Sequence, residues 1–397
     1  MRASHALAAA IAAVTLGAAG AARAANWEFV PRLELGYEYN DNYRLDFPGH
    51  EIDVSGALLD VTLPVNLVDP TTRLELGPRL RSTFFPDKRS EDSNDYFFNG
   101  LFEKRTLRHV FGIDGQWSRE DVVRSELPSS EIDSNLGDPT TADAGRRLLR
   151  NVRDLIRLDP YWHFDVSQRH RTELGGYYLD VDFKKVYLDP AERQEDFRDY
   201  GVYAGWGFRF TERSTLTLRG RASRYETTFD SQAYGAEAEW RSDYTQTANV
   251  YLRLGAQRTK LERSNSENET TFIGGLGGRW IWPTTNLFAD LTHSVGPTSA
   301  GAVVERSQLR LRMTRAVQPR LSVIAGLRGT HDQAIRSTTY PDRDYLTGDL
   351  GFDWRITQRW SLVGMYSYIW QEYSDEPSDR SSNAISLGVV YAPGRVE

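Results

Sequence analysis

From Trp27 onward, apolar and polar residues alternate one for one in run after run. In residues 58–67, Leu59, Val61, Leu63, Val65 and Leu67 fall on one side, and Asp60, Thr62 and Asn66 on the other. In residues 73–81, Leu74, Leu76 and Leu80 alternate with Arg73, Glu75, Arg79 and Arg81. The same rule separates Leu216 and Leu218 from Arg219 and Arg221, and Leu252 and Leu254 from Arg253. It also separates Leu309 and Leu311 from Arg310 and Arg312, and Leu350, Phe352 and Trp354 from Asp349, Asp353 and Arg355. A helix would scatter these charges around its circumference, whereas a strand, with its period of two, collects them on one face. The pattern predicts an all-β chain.

The breaks between runs come in two kinds. Eight are tight turns rich in Thr, Asp, Pro and Arg, near Asp69-Pro70-Thr71, Thr106, Ser167, Thr211, Tyr244, Pro283, Val317 and Thr357. Between them fall nine longer stretches carrying acid, glycine, proline and serine: 40–54, 86–94, 119–153, 182–197, 224–231, 259–269, 295–302, 332–343 and 372–381. Seventeen connections make about 18 antiparallel strands, an even number, with both termini on one side. Short turns on one side and long loops on the other are the plan of a transmembrane antiparallel β-barrel, with periplasmic turns and extracellular loops. The longest loop, 119–153, is expected to narrow or cap the lumen, because connections of that length in a compact fold are usually functional or disordered.

A soluble sandwich also alternates, but its polar faces do not hold full charges on strand after strand as a wet lumen would. The apolar faces here also end in aromatics: Tyr37 and Tyr39, Trp280 and Trp282, and Trp360 with Tyr366, Tyr368 and Trp370. The chain holds 10 Trp, 20 Tyr and 17 Phe. Tyrosine and tryptophan suit an interface with one apolar and one wet side. The N-terminus completes the picture. Arg2, the apolar stretch 6–20 and Ala22-Arg23-Ala24 read as a signal peptide over 1–24, cut after Ala24, with the barrel over 25–397 and its first strand beginning near Trp27. The bacterial outer membrane is the implied location.

Other classes drop out. There is no cysteine, so disulfides, thiolate metal sites and cysteine nucleophiles are excluded. The net charge of −7 argues against nucleic acid as a partner, since phosphates demand a basic footprint. After the leader no apolar run approaches the roughly 20 residues of a spanning helix.

The opening strand and its exit, Pro31 to Leu45, resemble the start of the outer-membrane proteins grouped as beta-barrel porin 2, with Tyr39, Asp41 and Asn42 carrying the match in a Tyr-x-Asp-Asn corner. The resemblance implies an outer-membrane barrel and, for some relatives, a place in exopolysaccharide synthesis and export. The last strand, Ala384 to Pro393, is similar to the C-terminal signal read by barrel-insertion machinery through Ser386, Gly388 and Tyr391, although the chain continues to Glu397 instead of stopping on an aromatic.

Chemistry-bearing motifs are sparse. His293-Ser294 is the one neighbouring pair that invites a nucleophile reading, and adjacent strand residues point to opposite faces. His163 and Asp165 share a face and read as lumen residues. The acidic groups Asp41, Asp46, Glu51 and Asp53, then Glu195, Asp196 and Asp199, and the stretch 87–95 lack EF-hand spacing and read as solvated loop charge. No catalytic, cofactor or metal site is predicted, and the chain is read as non-enzymatic. The sharper signal is a set of charges expected to line the lumen: Arg79, Arg81, Arg219, Arg221, Arg253, Arg310 and Arg312, with Glu75, Glu237, Glu239, Asp349 and Asp353 among them. Such charges either select a permeating solute or brace the lumen through arginine–carboxylate networks, and the sequence does not choose between the two. The functional reading is a pore or translocation channel exporting a polysaccharide. A diffusion porin for small solutes and a non-conducting envelope scaffold stand as alternatives. The expected partners are outer-membrane lipid and lipopolysaccharide, the insertion machinery and polysaccharide export components.

Overall fold

The computed structural model describes residues 26–125, 151–184, 194–227, 230–261, 267–298, 302–335 and 341–393. The leader expected over 1–24, most of the connection 119–153 and the residues after 393 lie outside the described residues. One continuous antiparallel sheet holds the rest. Its first strand is β1 (Asn26–Phe29 and Arg32–Asn40), followed by β2 (Val54–Thr62 and Val65–Val68), β3 (Thr72–Phe84), β4 (Ser93–Arg105), β5 (His109–Asp121) and β6 (Val152–Asp165). Then come β7 (His170–Phe183), β8 (Phe197–Arg209), β9 (Ser214–Glu226), β10 (Ser231–Thr245), β11 (Ala248–Leu261) and β12 (Glu267–Ile281). The sheet ends with β13 (Thr285–Pro297), β14 (Val303–Gln318), β15 (Leu321–Ala334), β16 (Arg343–Arg355), β17 (Trp360–Tyr373) and β18 (Arg380–Tyr391). β1 and β2 are each interrupted beside a proline, Pro31 and Pro64, because proline has no N–H to give to the ladder. Pairing of β1 with β18, Leu33↔Tyr391 through Asn40↔Ala384, closes the sheet into an 18-stranded barrel.

The eight tight turns and nine longer loops fall where the breaks in alternation put them. The longest connection is trimmed, since β5 runs through Asp121 and a single helical turn, Val122–Ser125, follows it. The tight turns are built by side-chain oxygens that accept N–H groups two or three residues on. Asp69 takes the N–H of Thr71 at 2.6 Å and of Thr72 at 2.8 Å. The Thr71 N–H is the chief reason that the Asp69 carboxyl sits below its ordinary pKa. Ser167 and Thr357 do the same for the N–H groups of His170 and Trp360, at 3.1 Å each.

The two faces of the sheet differ as the alternation requires. Leu35, Leu218, Leu276, Leu350 and Leu387 point outward and are 45% to 58% exposed. Near the tight turns the outer face carries stacked rings: His109 lies 4.8 Å from Phe164, and His170 lies 5.4 Å from Trp206. Trp360 and Tyr391 meet at 4.8 Å beside the closing seam. So much exposed apolar surface, girdled by aromatics on a sheet that closes on itself, suits hydrocarbon and not water. The protein is an integral β-barrel of the bacterial outer membrane.

The loop side is filled. Leu45, from the first loop, is buried against Tyr345 and Ile369 on the inner face. Phe47 lies under the Arg380 guanidinium, 3.9 Å from ring centroid to carbon. Val122 is wholly buried among Leu155, Leu179, Val181, Phe183, Phe197 and Tyr225, and its neighbour Val123 among Tyr43, Val54 and Phe85. The start of the longest loop therefore joins two apolar clusters across the mouth. Arg44 of the first loop meets Glu91 of the second at 2.5 Å, and this hydrogen bond raises the arginine's pKa.

The Tyr-x-Asp-Asn corner has a structural duty at the closing seam. Asn383 donates its backbone N–H and its side-chain amide to Asp41, both at 2.7 Å. Asn42 donates to the carbonyls of Ser381 and Asp46 at 2.9 Å and accepts the Asp46 N–H at 2.8 Å. Removing the carboxylate by Asp41→Ala strips two of these bonds, each worth on the order of 1–3 kcal/mol when the acceptor is charged. The variant barrel should unfold in detergent at a lower temperature, read as loss of its compact form on unheated gels. An unchanged midpoint would show that the corner does not hold the seam.

Candidate functional site

The inner face is polar below the apolar clusters that fill the mouth. All twelve charges singled out in the sequence lie on the strand face opposite the exposed leucines, but they do not form one set. Several are paired tightly. Asp60 receives Arg79 at 2.6 Å and Arg81 at 3.0 Å. Arg219 bridges Glu173 and Glu237, at 2.7 Å to each. Glu239 holds Arg253 at 2.8 Å and Arg241 at 3.1 Å. Asp290 takes Arg310 at 2.5 Å and the Tyr251 hydroxyl besides. Glu75 pairs with Arg73 at 2.6 Å close to the periplasmic turns. Asp349 sits beside Gly326, and the half-buried Asp353 shares its strand face four residues on. Asp60, Glu173 and Asp290 carry no signal that marks them from sequence alone, because each becomes a partner only through strand neighbours.

Two glycines make room for these bridges. Glu173 on β7 reaches Arg219 on β9 by lying across Gly205 of β8, where an added Cβ would stand 2.5 Å from its Oε1. Tyr251 on β11 meets Asp290 on β13 over Gly277, where a Cβ would stand 2.8 Å from the tyrosine ring. A side chain at either position would push the bridging partners apart, so the glycines are needed for close approach.

The environment changes from one end of the barrel to the other. Arg105 and Arg241, near the periplasmic turns, are 64% and 63% exposed at the side chain, whereas Arg306 and Arg380, near the loops, are 9% and 1% exposed. These inner arginines are thus water-accessible near the periplasmic turns and buried near the loops. Between them lies a cavity of about 660 Å³ bordered by β9–β14. Its lining holds six arginines, Arg221, Arg241, Arg253, Arg279, Arg310 and Arg312, against two carboxylates, Glu237 and Asp290. Arg221 is held by the Gln257 carbonyl, a neutral partner. Arg279 forms no ion pair among the described residues.

His293 does not engage Ser294, its chain neighbour. Its Nδ1 lies 2.8 Å from the Ser307 hydroxyl, and its Nε2 lies 3.8 Å from Glu305, on the outer side of the wall. The carboxylate is too distant to hydrogen-bond the ring, so the trio lacks the orienting contact that a serine nucleophile's base requires.

No family model and no curated protein matches the chain. Among solved structures, OpdO of Pseudomonas aeruginosa aligns with 92% of this chain and 98% of its own at 13% identity and a TM-score of 0.46. OccAB4 of Acinetobacter baumannii aligns with 92% and 98% at 12% identity and 0.45. OccK2 (OpdF) of Pseudomonas aeruginosa, in complex with glucuronate, aligns with 93% and 98% at 12% and 0.44. Likeness this slight says nothing of solute, direction or mechanism.

The inner charges should separate by depth when tested. Asp290→Ala strips the carboxylate from the buried Arg310 and from Tyr251, and breaking a buried pair in this way costs about 3–5 kcal/mol. Glu75→Ala removes one side of an exposed pair, worth roughly 1 kcal/mol or less. Urea unfolding in detergent should therefore resolve a large loss for the first and almost none for the second. Equal losses would contradict the gradient from wet to dry.

Proposed function

We propose that this barrel is a channel for small anionic solutes. The observation that carries the reading is the excess of arginine around the cavity, six guanidinium groups against two carboxylates. The chain as a whole is acidic, with a net charge of −7, yet the field inside a narrow lumen depends on the groups that face it. Low-dielectric walls strengthen that field, so a local positive surplus concentrates anions there. The tightly paired arginines, Arg79, Arg81, Arg219, Arg253 and Arg310, are braces in this reading. Arg221, Arg279 and Arg312 line the same cavity and face a solute within it.

Size favours a small solute over a polymer. A cavity of about 660 Å³ under a mouth packed with Leu45, Val122 and Val123 accommodates a molecule of drug-like or sugar-acid dimensions, within the ordinary range of ligand sites. A polysaccharide chain needs a continuous bore, which the packing at the mouth interrupts. Export of exopolysaccharide, the role suggested by the corner motif, therefore gives way to small-solute passage.

Planar bilayers in a salt gradient test the proposal. The native barrel should prefer anions, and Arg221→Gln, Arg279→Gln and Arg312→Gln together should move the reversal potential toward cations. The shift should shrink at 1 M salt, where the Debye length falls to about 3 Å. A barrel that inserts and conducts with its reversal potential unmoved by the triple change would refute the selectivity. One that inserts and passes no current under any condition would favour the scaffold.

A further inference from the structure

We infer that the extracellular arms of β13 and β14, residues 294–298 and 302–306, are a gate that closes the lumen by tucking inside the wall and opens by swinging outward to pair with β12. The inference rests on the channel reading and concerns how that channel is regulated.

The first observation is a split in the wall. β12 and β13 pair only from Ile281↔Asn286 to Gly274↔His293, eight rungs. Above that point residues 267–273 of β12 pair with β11 alone, and residues 294–297 of β13 pair with β14 alone. The closing seam between β1 and β18 also has eight rungs, but Asp41 and Asn42 extend it with side-chain bonds. Two strand edges that share no ladder rungs thus face each other, a costly arrangement near a membrane.

The second observation is where the arms have gone. Tyr225 of β9 donates its hydroxyl proton to the Thr298 carbonyl, just past β13, at 3.1 Å, although three strands separate β9 from β13 along the wall. Val303 packs on the apolar cluster of Leu155, Leu179, Phe197 and Tyr225. Residues 295–297 and Val303 border a small void of about 60 Å³ with Tyr177, Asp199 and Gln257 on the inner face of β7–β11. The arms therefore lie inside the barrel, across the mouth. Their outer face plugs the split: Phe272 stacks on His293, and the Thr271 hydroxyl donates to Glu305 at 2.7 Å. The arginine-lined cavity sits directly beneath, with Ile273, His293 and Ser294 on its rim.

The geometry points to two alternative packings of the arms. In the tucked form the arms bury Val303 and the Tyr225 hydroxyl and forgo ladder bonds. Swung outward, they would give up those contacts and continue the existing register as Ile273↔Ser294, Phe272↔Val295 and Thr271↔Gly296. The zipper would stop at Pro297, which has no N–H to donate. Exchange of apolar contacts for rungs is the kind of bistable element that a ligand or a local field can bias.

The cysteine-free chain allows both forms to be trapped in the full-length barrel. Phe272→Cys with Val295→Cys places thiols on a rung that exists only when the arms are out. Oxidation should form the disulfide and raise the mean bilayer current severalfold, and reductant should reverse it. Tyr225→Cys with Thr298→Cys, bridged by a cleavable dithiol-reactive linker, should lower the current until the linker is cut. Absence of the Phe272→Cys/Val295→Cys disulfide in a folded, inserted barrel would overturn the swing. Crosslinks that form in both variants without changing an existing current would overturn the gate. A disulfide that forms in a barrel passing no current in any state would instead refute the channel reading and leave the motion standing.

Discussion

Every backbone N–H and C=O that enters hydrocarbon must find its partner within the protein, and the architecture follows from that demand. A sheet satisfies it only by closing on itself, which is why β1 must meet β18 and why the residues at that junction are specialised. Pro31 and Pro64 interrupt the ladder in the first two strands, but each break is kept short and adjoining backbone finds a substitute. The Leu63 N–H, for example, reaches the Pro78 carbonyl at 2.9 Å. The wall above the Gly274↔His293 rung, where β12 and β13 share no further rungs, stands out for the same reason.

Closure forces a second problem inward. The alternation that gives lipid its leucines sends a charge to the lumen from nearly every strand, and a lumen that is dry toward the extracellular mouth cannot leave charges unpaired. The protein answers with carboxylates placed between arginines of neighbouring strands, and with glycines that let partners two strands apart touch. Toward the periplasm, where water enters, pairing relaxes: Arg73 and Glu75 bond in the open, and Arg241 leans out from Glu239. Bracing and permeation are therefore roles of the same residue type at different depths. A single label for all lumen arginines would obscure that division.

Much of this is legible in the sequence. The period of two, together with the difference between Thr- and Asp-rich turns and long acidic loops, determined the strand number, the antiparallel order and which residues face lipid, because side-chain direction in a strand is fixed by parity. The inward direction of Arg79, Arg219 and Arg310 follows from that same parity. Even the Tyr-x-Asp-Asn corner is visible, although its duty is not, since Asn383 lies at the far end of the chain.

What only the tertiary structure decided is how inward residues meet. Whether Arg219 is a brace or a filter depends on Glu173, two strands away across Gly205, and no local pattern encodes a contact made through the curvature of a closed sheet. The same holds for Leu45, Val122 and Val123, three apolar residues in polar loops that read as incidental until the loops fold into the mouth. The tucked arms of β13 and β14 are the extreme case. Their sequence alternates like any other strand, and it is the three-dimensional competition between ladder bonds and buried apolar contacts that takes them out of the wall. Parity sets the face of every residue; the curvature and closure of the sheet set its partner.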